Sequence, residues 1–317
     1  MKANGTLLDD MASFLVEFPA GCRYEPHFGL LKPHRAVHAM NNIYYVDGKF
    51  VPADQAMIPV DDLAIVRGIG VFDLLRTHKG KPFFLKEHVE RLHHSAKEID
   101  LAMPWSQQEV CKVVMDTLDR NSHQEEANVR IIVTGGSSPD FMTPKGRPRL
   151  LVLVTPLPKL PDWWHSRGVK VITLKVKRNF PGAKSIDYLP AAIALRKARR
   201  EDAVEAIYLD DDGHALEGTT SNLFVFLGGK LVTPGSGILS GITRKVVMAL
   251  AKEHYAIEVR DLSIEELLAA NEVFITGTNK GLVPVVQVDR TTIGNGRPGP
   301  KTARMMTLLE NYNAPAI

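Results

Sequence analysis

The chain has 317 residues, 44% of them hydrophobic, which is enough apolar material for two cores rather than one. Its formal net charge is +3, with acids and bases interspersed throughout, and this excludes the basic face of a nucleic-acid binder. The longest apolar run, "LLVLV" at 150–154, is of strand length and too short to span a membrane, so a cytoplasmic protein is predicted.

Residues 1–40 show no hydrophobic period and read as an N-terminal extension that packs on something larger. Regular structure is predicted from "IYYVDGKFVP", where Asp47-Gly48 between two β-rich runs signals a hairpin. A second turn at Lys79-Gly80 follows "VFDLLRTH". Helices are expected in "KEHVERLHHSAKEIDL" and "SQQEVCKVVMDTLDRN", the second opened by a capping box of Ser106 and Glu109. The strands "VRIIVTG" and "RLLVLVTP" complete a small α+β domain over residues 41–157. Cys22 and Cys111 are far apart and lack metal spacing, so both are expected as plain thiols in a reducing compartment.

"PLPKLPDWWHS" packs three prolines into six residues, and residues 158–166 are therefore expected as a linker to a larger domain, 167–317. There the strand "VKVITLKV" precedes a helix over about 189–201 and the strand "AIYLD". The hairpin "SNLFVFLGGKLVTP" leads through a glycine turn into the helix "ITRKVVMALAKEH". Ser263 and Glu266 form a second capping box in front of "IEELLAA". The strands "EVFITGT" and "LVPVVQVD" and a last helix, "KTARMMTLLENY", close the chain.

Several residues suit chemistry, most of them in this second half. Lys184, behind Pro181-Gly182 and before an apolar segment, occupies a turn where a partly desolvated pocket would free its amine as a nucleophile. The alternative is an ordinary solvated lysine. Glu217-Gly218 ends a strand before Thr219, Thr220 and Ser221, and a carboxylate there suits a pyridine nitrogen as well as it suits solvent. In "GSGILSGITRKVV" the free amides of Gly241, Ile242 and Thr243 and the helix dipole converge as an anion site, although glycine turns before helices are also common connections. "FITGTNKG" offers Thr276, Gly277 and Thr278 as the other wall of a phosphate cup. Arg91 shares a helix face with His88. The histidines, including His88, His93 and His94, lack ligand spacing, and no metal is predicted.

Taken together and in this order, "VFD", "EHVERL", "AKSIDYL", "LEGTTSNLF", "GITR" and "TGT" resemble the class IV (fold type IV) pyridoxal-phosphate-dependent aminotransferases. That family includes branched-chain and D-amino-acid aminotransferases and aminodeoxychorismate lyase. The resemblance covers about residues 42–312. It implies a mixed α+β, two-domain fold whose larger domain carries a β-barrel-like sheet, pyridoxal 5′-phosphate as cofactor, and a homodimer. Lys184 is then the catalytic amine that joins the cofactor aldehyde and later moves a proton between the substrate Cα and C4′. Glu217 matches the partner of the pyridine nitrogen, and Tyr188 the tyrosine near the phenolic oxygen. Arg91, Ile242, Thr243 and Thr278 match the phosphate ligands, while Asn222 supports the loop after Glu217.

The substrate residues depart from both well-known subgroups. D-amino-acid enzymes carry an arginine and a histidine where this chain has Asp140 and Met142, so their carboxylate trap is missing. Branched-chain enzymes place a tyrosine at the position of Arg67 and a Thr-Ala-Ala turn at Thr278, Asn279 and Lys280, while Arg130 matches an arginine of their pocket strand. Arg67, Arg130 and Lys280 are therefore expected to face substrate carboxylates, with Phe72 beside the cofactor. The implied activity is branched-chain-like transamination between an amino acid and a 2-oxo acid such as 2-oxoglutarate. D-amino-acid transamination, lyase-type elimination of pyruvate and a non-catalytic binding protein on the same fold are the alternatives.

Overall fold

Asp47 and Gly48 take φ values of 46° and 93°, the left-handed pair that a two-residue hairpin requires, and they join β1 (Ile43–Val46) to β2 (Lys49–Pro52). Lys79 and Gly80, at 51° and 71°, do the same between β3 (Gly70–His78) and β4 (Lys81–Pro82). With β5 (Ala127–Thr134) and β6 (Arg149–Pro156) these strands form an antiparallel six-stranded sheet in the order β2-β1-β6-β5-β3-β4. The structure is a computed structural model that describes residues 42–313; the extension 1–40 and Cys22 lie outside the described residues.

Three helices accompany this sheet: α1 (Leu63–Val66), α2 (Leu85–Glu98) and α3 (Gln107–Asp119). The Ser106–Glu109 capping box is formed, satisfying two of the amides that a helix start leaves free. Val89 and Leu92 of α2 and Val110 and Val114 of α3 pack on Leu75 and Ile131 in one core. Each such fully buried aliphatic side chain contributes about 1.5–3 kcal/mol. β3 alternates strictly from Val71 onward, with Val71, Leu75 and Thr77 on the buried face, and Asp73 shares that face.

The segment expected as a linker contains a single helical turn, α4 (Trp163–Ser166). Beyond it nine strands form one sheet: β7 (Val169–Lys175), β8 (Glu205–Leu209), β9 (Ala215–Gly218), β10 (Ser221–Leu227), β11 (Lys230–Thr233), β12 (Ile257–Val259), β13 (Glu272–Gly277), β14 (Gly281–Val288) and β15 (Thr291–Thr292). One edge of β10 is shared between β9, at Ser221 and Asn222, and β11, at Val225 to Leu227. Its other edge pairs with β13. Strands β10-β13-β14-β7-β8-β9 thereby close on themselves into the expected barrel.

Period-two alternation fills both sides of its wall. Leu223 and Val225 of β10 point into the barrel with Val171, Ile207 and Ile275. Phe224 and Phe226 point out, where α6 (Ile242–Ala251) and α8 (Pro300–Asn313) cover them. On the β7–β8 side the cover is α5 (Leu189–Arg200), through Ala194 and Ala198. A short helix, α7 (Ile264–Leu268), carries the second capping box, formed as expected by Ser263 and Glu266.

Residues 184–186 join the two sheets. They run antiparallel to the start of β3, with the Phe72 amide donating to the Lys184 carbonyl at 2.9 Å and the Ile186 amide to the Gly70 carbonyl at 3.0 Å. Lys184 is thus registered against the first sheet while its neighbours in sequence belong to the second.

Candidate active site

A cavity of about 460 Å³ opens where these elements meet, and Lys184, Tyr188, Glu217, Arg91, Thr243 and Thr278 all line it. The Lys184 backbone is held by its pairing to β3 and by donation from its amide to Ser95 Oγ of α2 at 3.0 Å. Its Nζ lies 3.4 Å from Tyr188 Oη and 4.8 Å from the centre of the Phe72 ring. Tyr188 begins α5 and meets Phe72 edge to face at 5.2 Å, so Phe72 braces lysine and tyrosine from behind.

Glu217, on β9, is buried. Its Oε2 accepts from the Leu239 amide at 3.0 Å and from Asn222 Nδ2 at 3.4 Å, and its Oε1 accepts from Arg178 Nη1. Burial pushes the Glu217 carboxyl above its ordinary range, against the pull of Arg178, the Leu239 amide and Lys184. Burial likewise raises the phenol of Tyr208, also on the cavity wall, to about 12. Asn222 has a structural part as well: its Nδ2 donates to the Leu239 carbonyl at 2.9 Å, and a Cβ on Gly241 would stand 1.9 Å from its Oδ1. Only glycine fits there, and that close approach seats the start of α6 against the loop after Glu217.

Gly241 caps α6 with no side-chain bond, so the amides of Ile242 and Thr243 face the cavity free of any cap. Arg91 reaches the same region from α2. Its Nε and Nη2 donate to Asp73 Oδ2 and Oδ1, both at 2.8 Å, and its Nη1 donates to the Ser240 carbonyl at 3.2 Å. A guanidinium carries five N–H bonds, so these three leave two for an anion. His88 completes the support, with Nδ1 2.7 Å from Asp73 Oδ1. Burial works against the Asp73 anion, yet Arg91 and His88 hold its carboxyl well below the ordinary range. Burial in turn depresses His88, against Asp73.

Thr219 Oγ1 and Thr276 Oγ1 line the cavity as well, and both are buried without a hydrogen-bond partner. Orphaned hydroxyls beside free helix amides and an arginine with spare donors fit a phosphate; the buried carboxylate and the nearby amine fit the ring and aldehyde of pyridoxal phosphate.

The expected substrate residues divide. Arg67 lines the cavity, exposed, its Nη1 bonded only to the Val66 carbonyl at 2.8 Å. Arg130 stands outside the wall, its guanidinium 5.6 Å from the centre of the Phe72 ring. Lys280 is a correction: its ammonium turns to the buried Glu205 and to Thr220 and does not line this cavity, because an unpaired Glu205 at that depth would be costly. Asp140 accepts from Ser138 Oγ and from the amides of Met142 and Thr143, capping its own loop.

Sequence reasoning missed Asp73, Arg178, Glu205 and Tyr208. Asp73 had a usable signal, a charged residue on the core face of an alternating strand. Arg178 had none, because its partner lies 39 positions away.

Residues 70–288 match the family described as amino-transferase class IV. The chain is 37% identical over 272 residues to a Methanocaldococcus jannaschii protein to which branched-chain-amino-acid aminotransferase activity is ascribed, with 82% of this chain and 93% of that protein covered. It is 32% identical over 271 residues to the D-alanine aminotransferase of Bacillus licheniformis, covering 84% and 95%. Among solved structures, a T.th. branched-chain amino acid aminotransferase complexed with N-(5′-phosphopyridoxyl)-L-glutamate superposes with a TM-score of 0.78 at 30% identity, covering 86% of this chain and 94% of the other.

Proposed function

This chain belongs to the class IV aminotransferases, and we propose that it uses pyridoxal 5′-phosphate to move an amino group between a branched-chain amino acid and 2-oxoglutarate. The observation that carries the reading is the convergence of Lys184, Glu217, Arg91 and the first amides of α6 on one cavity. The relatives support the substrate pair: one solved neighbour is a branched-chain enzyme whose ligand contains L-glutamate.

When bound, the cofactor supplies an aldehyde and an electron-withdrawing ring. Lys184 would supply the amine that holds it and, when free, would take the proton from Cα of the amino donor and, in the second half of the cycle, deliver one to Cα of the 2-oxo acid acceptor. Tyr188, beside Nζ, orients that amine and donates toward the phenolic oxygen. Glu217 holds a proton on the ring nitrogen. Arg91, Ile242, Thr243 and Thr278 bind the phosphate, and Arg67, which lines the cavity, anchors substrate carboxylates. The same reading carries a homodimer in the cytoplasm. Leu189 and Ile193, exposed one turn apart on α5, support the dimer. Among the described residues no helix is long and apolar enough to cross a membrane.

The test is borohydride reduction of the protein with pyridoxal phosphate, followed by peptide mapping and by assay against L- and D-amino donors with 2-oxoglutarate. Label on Lys184 and glutamate formed from L-leucine are expected; pyruvate released without an acceptor would favour a lyase. Lys184→Ala should lower turnover by roughly 10⁴-fold or more, and near-normal rates would remove the mechanism. Arg67→Ala should raise KM for 2-oxoglutarate about tenfold with a smaller change in kcat, the loss of one charge-assisted bond.

A further inference from the structure

Arg178 lies outside the six motifs that carry the resemblance, yet it bonds to Glu217 and to the backbone of the turn that carries Lys184, the two groups on which the proposed reaction depends. Its Nη1 donates to Glu217 Oε1 and, at 3.1 Å, to the Pro181 carbonyl; its Nη2 donates to the Ala183 carbonyl at 2.6 Å. Ala183 is fully buried, so its carbonyl needs a donor from within the protein. One planar guanidinium therefore bridges the carboxylate on β9 to the turn that ends in Lys184. Lysine cannot replace it, because a single ammonium does not present the rigid fork that spans a carboxylate and two carbonyls.

Resting on the cofactor reading above, we propose that Arg178 is a positioning residue for the reaction, a clamp that keeps Glu217 ionised and holds the 178–184 turn so that Lys184 faces the same cavity. The electrostatics agree with the geometry. Burial raises the Glu217 carboxyl, and Arg178 heads the groups that oppose it. The other charged or titratable groups acting around Glu217 are Lys184, Tyr208 of β8 and Arg244 of α6.

Two measurements on the full chain freed of cofactor separate charge from shape. The first is the affinity for pyridoxal phosphate as a function of pH. In Arg178→Met, Glu217 loses its nearby cation and protonates more readily, so the acid limb of the affinity profile should move up by about one to three pH units. The second is the rate at which Lys184 becomes covalently labelled by pyridoxal phosphate and borohydride. It should fall about tenfold or more in Arg178→Met, because the turn no longer presents the amine. Arg178→Lys should restore the acid limb and leave the labelling slow.

An unmoved limb together with labelling within about twofold of wild type in Arg178→Met would overturn the proposal. Full recovery of the labelling rate in Arg178→Lys would overturn the clamp. If Arg178→Met does not fold, Arg178→Met/Glu217→Gln leaves no uncompensated buried carboxylate; it should label more slowly than Glu217→Gln alone, and equal rates would sink the clamp. Wild-type protein that takes no label at Lys184 would instead overturn the cofactor reading, whereas labelled wild type beside unaffected Arg178 variants overturns only this inference.

Discussion

Asp73 on β3 accepts from Arg91 Nε and Nη2 and from the Leu74 amide and sits 2.7 Å from His88 Nδ1, whereas Glu217 on β9 accepts from one nitrogen of Arg178, the Leu239 amide and, at 3.4 Å, Asn222. Both are buried carboxylates paired with an arginine beside the same cavity, and burial disfavours the charge of each. At Asp73 the surrounding partners outweigh burial and the carboxyl sits well below its ordinary range. At Glu217 they do not, and the carboxyl sits above it. The difference is one of purpose. Asp73 is saturated by its partners and serves to aim Arg91; on the proposed cofactor reading, Glu217 keeps part of its capacity for the ring nitrogen.

Removing each carboxylate tests this contrast. Asp73→Ala should cost about 3–5 kcal/mol in urea unfolding, since it strands a partly buried arginine and a buried histidine, and it should weaken retention of pyridoxal phosphate. Glu217→Gln should cost less, about 1–2 kcal/mol, because the amide oxygen still accepts from Arg178 while its NH2 leaves the Leu239 amide without an acceptor; turnover should drop about 10²–10³-fold, because glutamine holds no ring proton. Equal stability losses at the two positions would break the comparison.

A smaller effect sharpens it. The folded-state value of His88 is depressed, so below about pH 6.5 the unfolded chain binds a proton that the folded chain refuses, and stability falls as pH falls. Glu217, whose folded value is raised, works in the opposite direction: the folded chain takes up its proton first, and stability rises as pH falls through that value. Unfolding free energies followed downward from pH 7 through the ordinary carboxylate range should therefore decline more steeply in Glu217→Gln than in wild type. A parallel decline would show that Glu217 does not titrate as its burial requires.

Much of the local structure was legible because its causes are local. Asp47-Gly48 and Lys79-Gly80 turn because glycine accepts positive φ, and Ser106 and Ser263 start helices because their side chains reach an amide three residues on. Lys184, Glu217 and the α6 start were legible as members of an ordered set of motifs, and the cavity brings them together. Lys280 was misread toward substrate because its partner, Glu205, lies 75 positions away on β8. Asp73, read only as part of a motif, has its role from two side chains on a different element.

What the amino-acid order determined by itself was therefore everything whose interaction partners lie within a few residues: turns, caps, strand alternation and the identity of the chemical groups available. What only the tertiary structure decided was which of those groups meet. β9 pairs with β10 to close the barrel, Arg178 reaches Glu217, and residues 184–186 add to β3 across the junction of the two sheets. Charges buried by folding must be compensated where the chain brings them, and that compensation depends on distances in space that separation along the chain does not report.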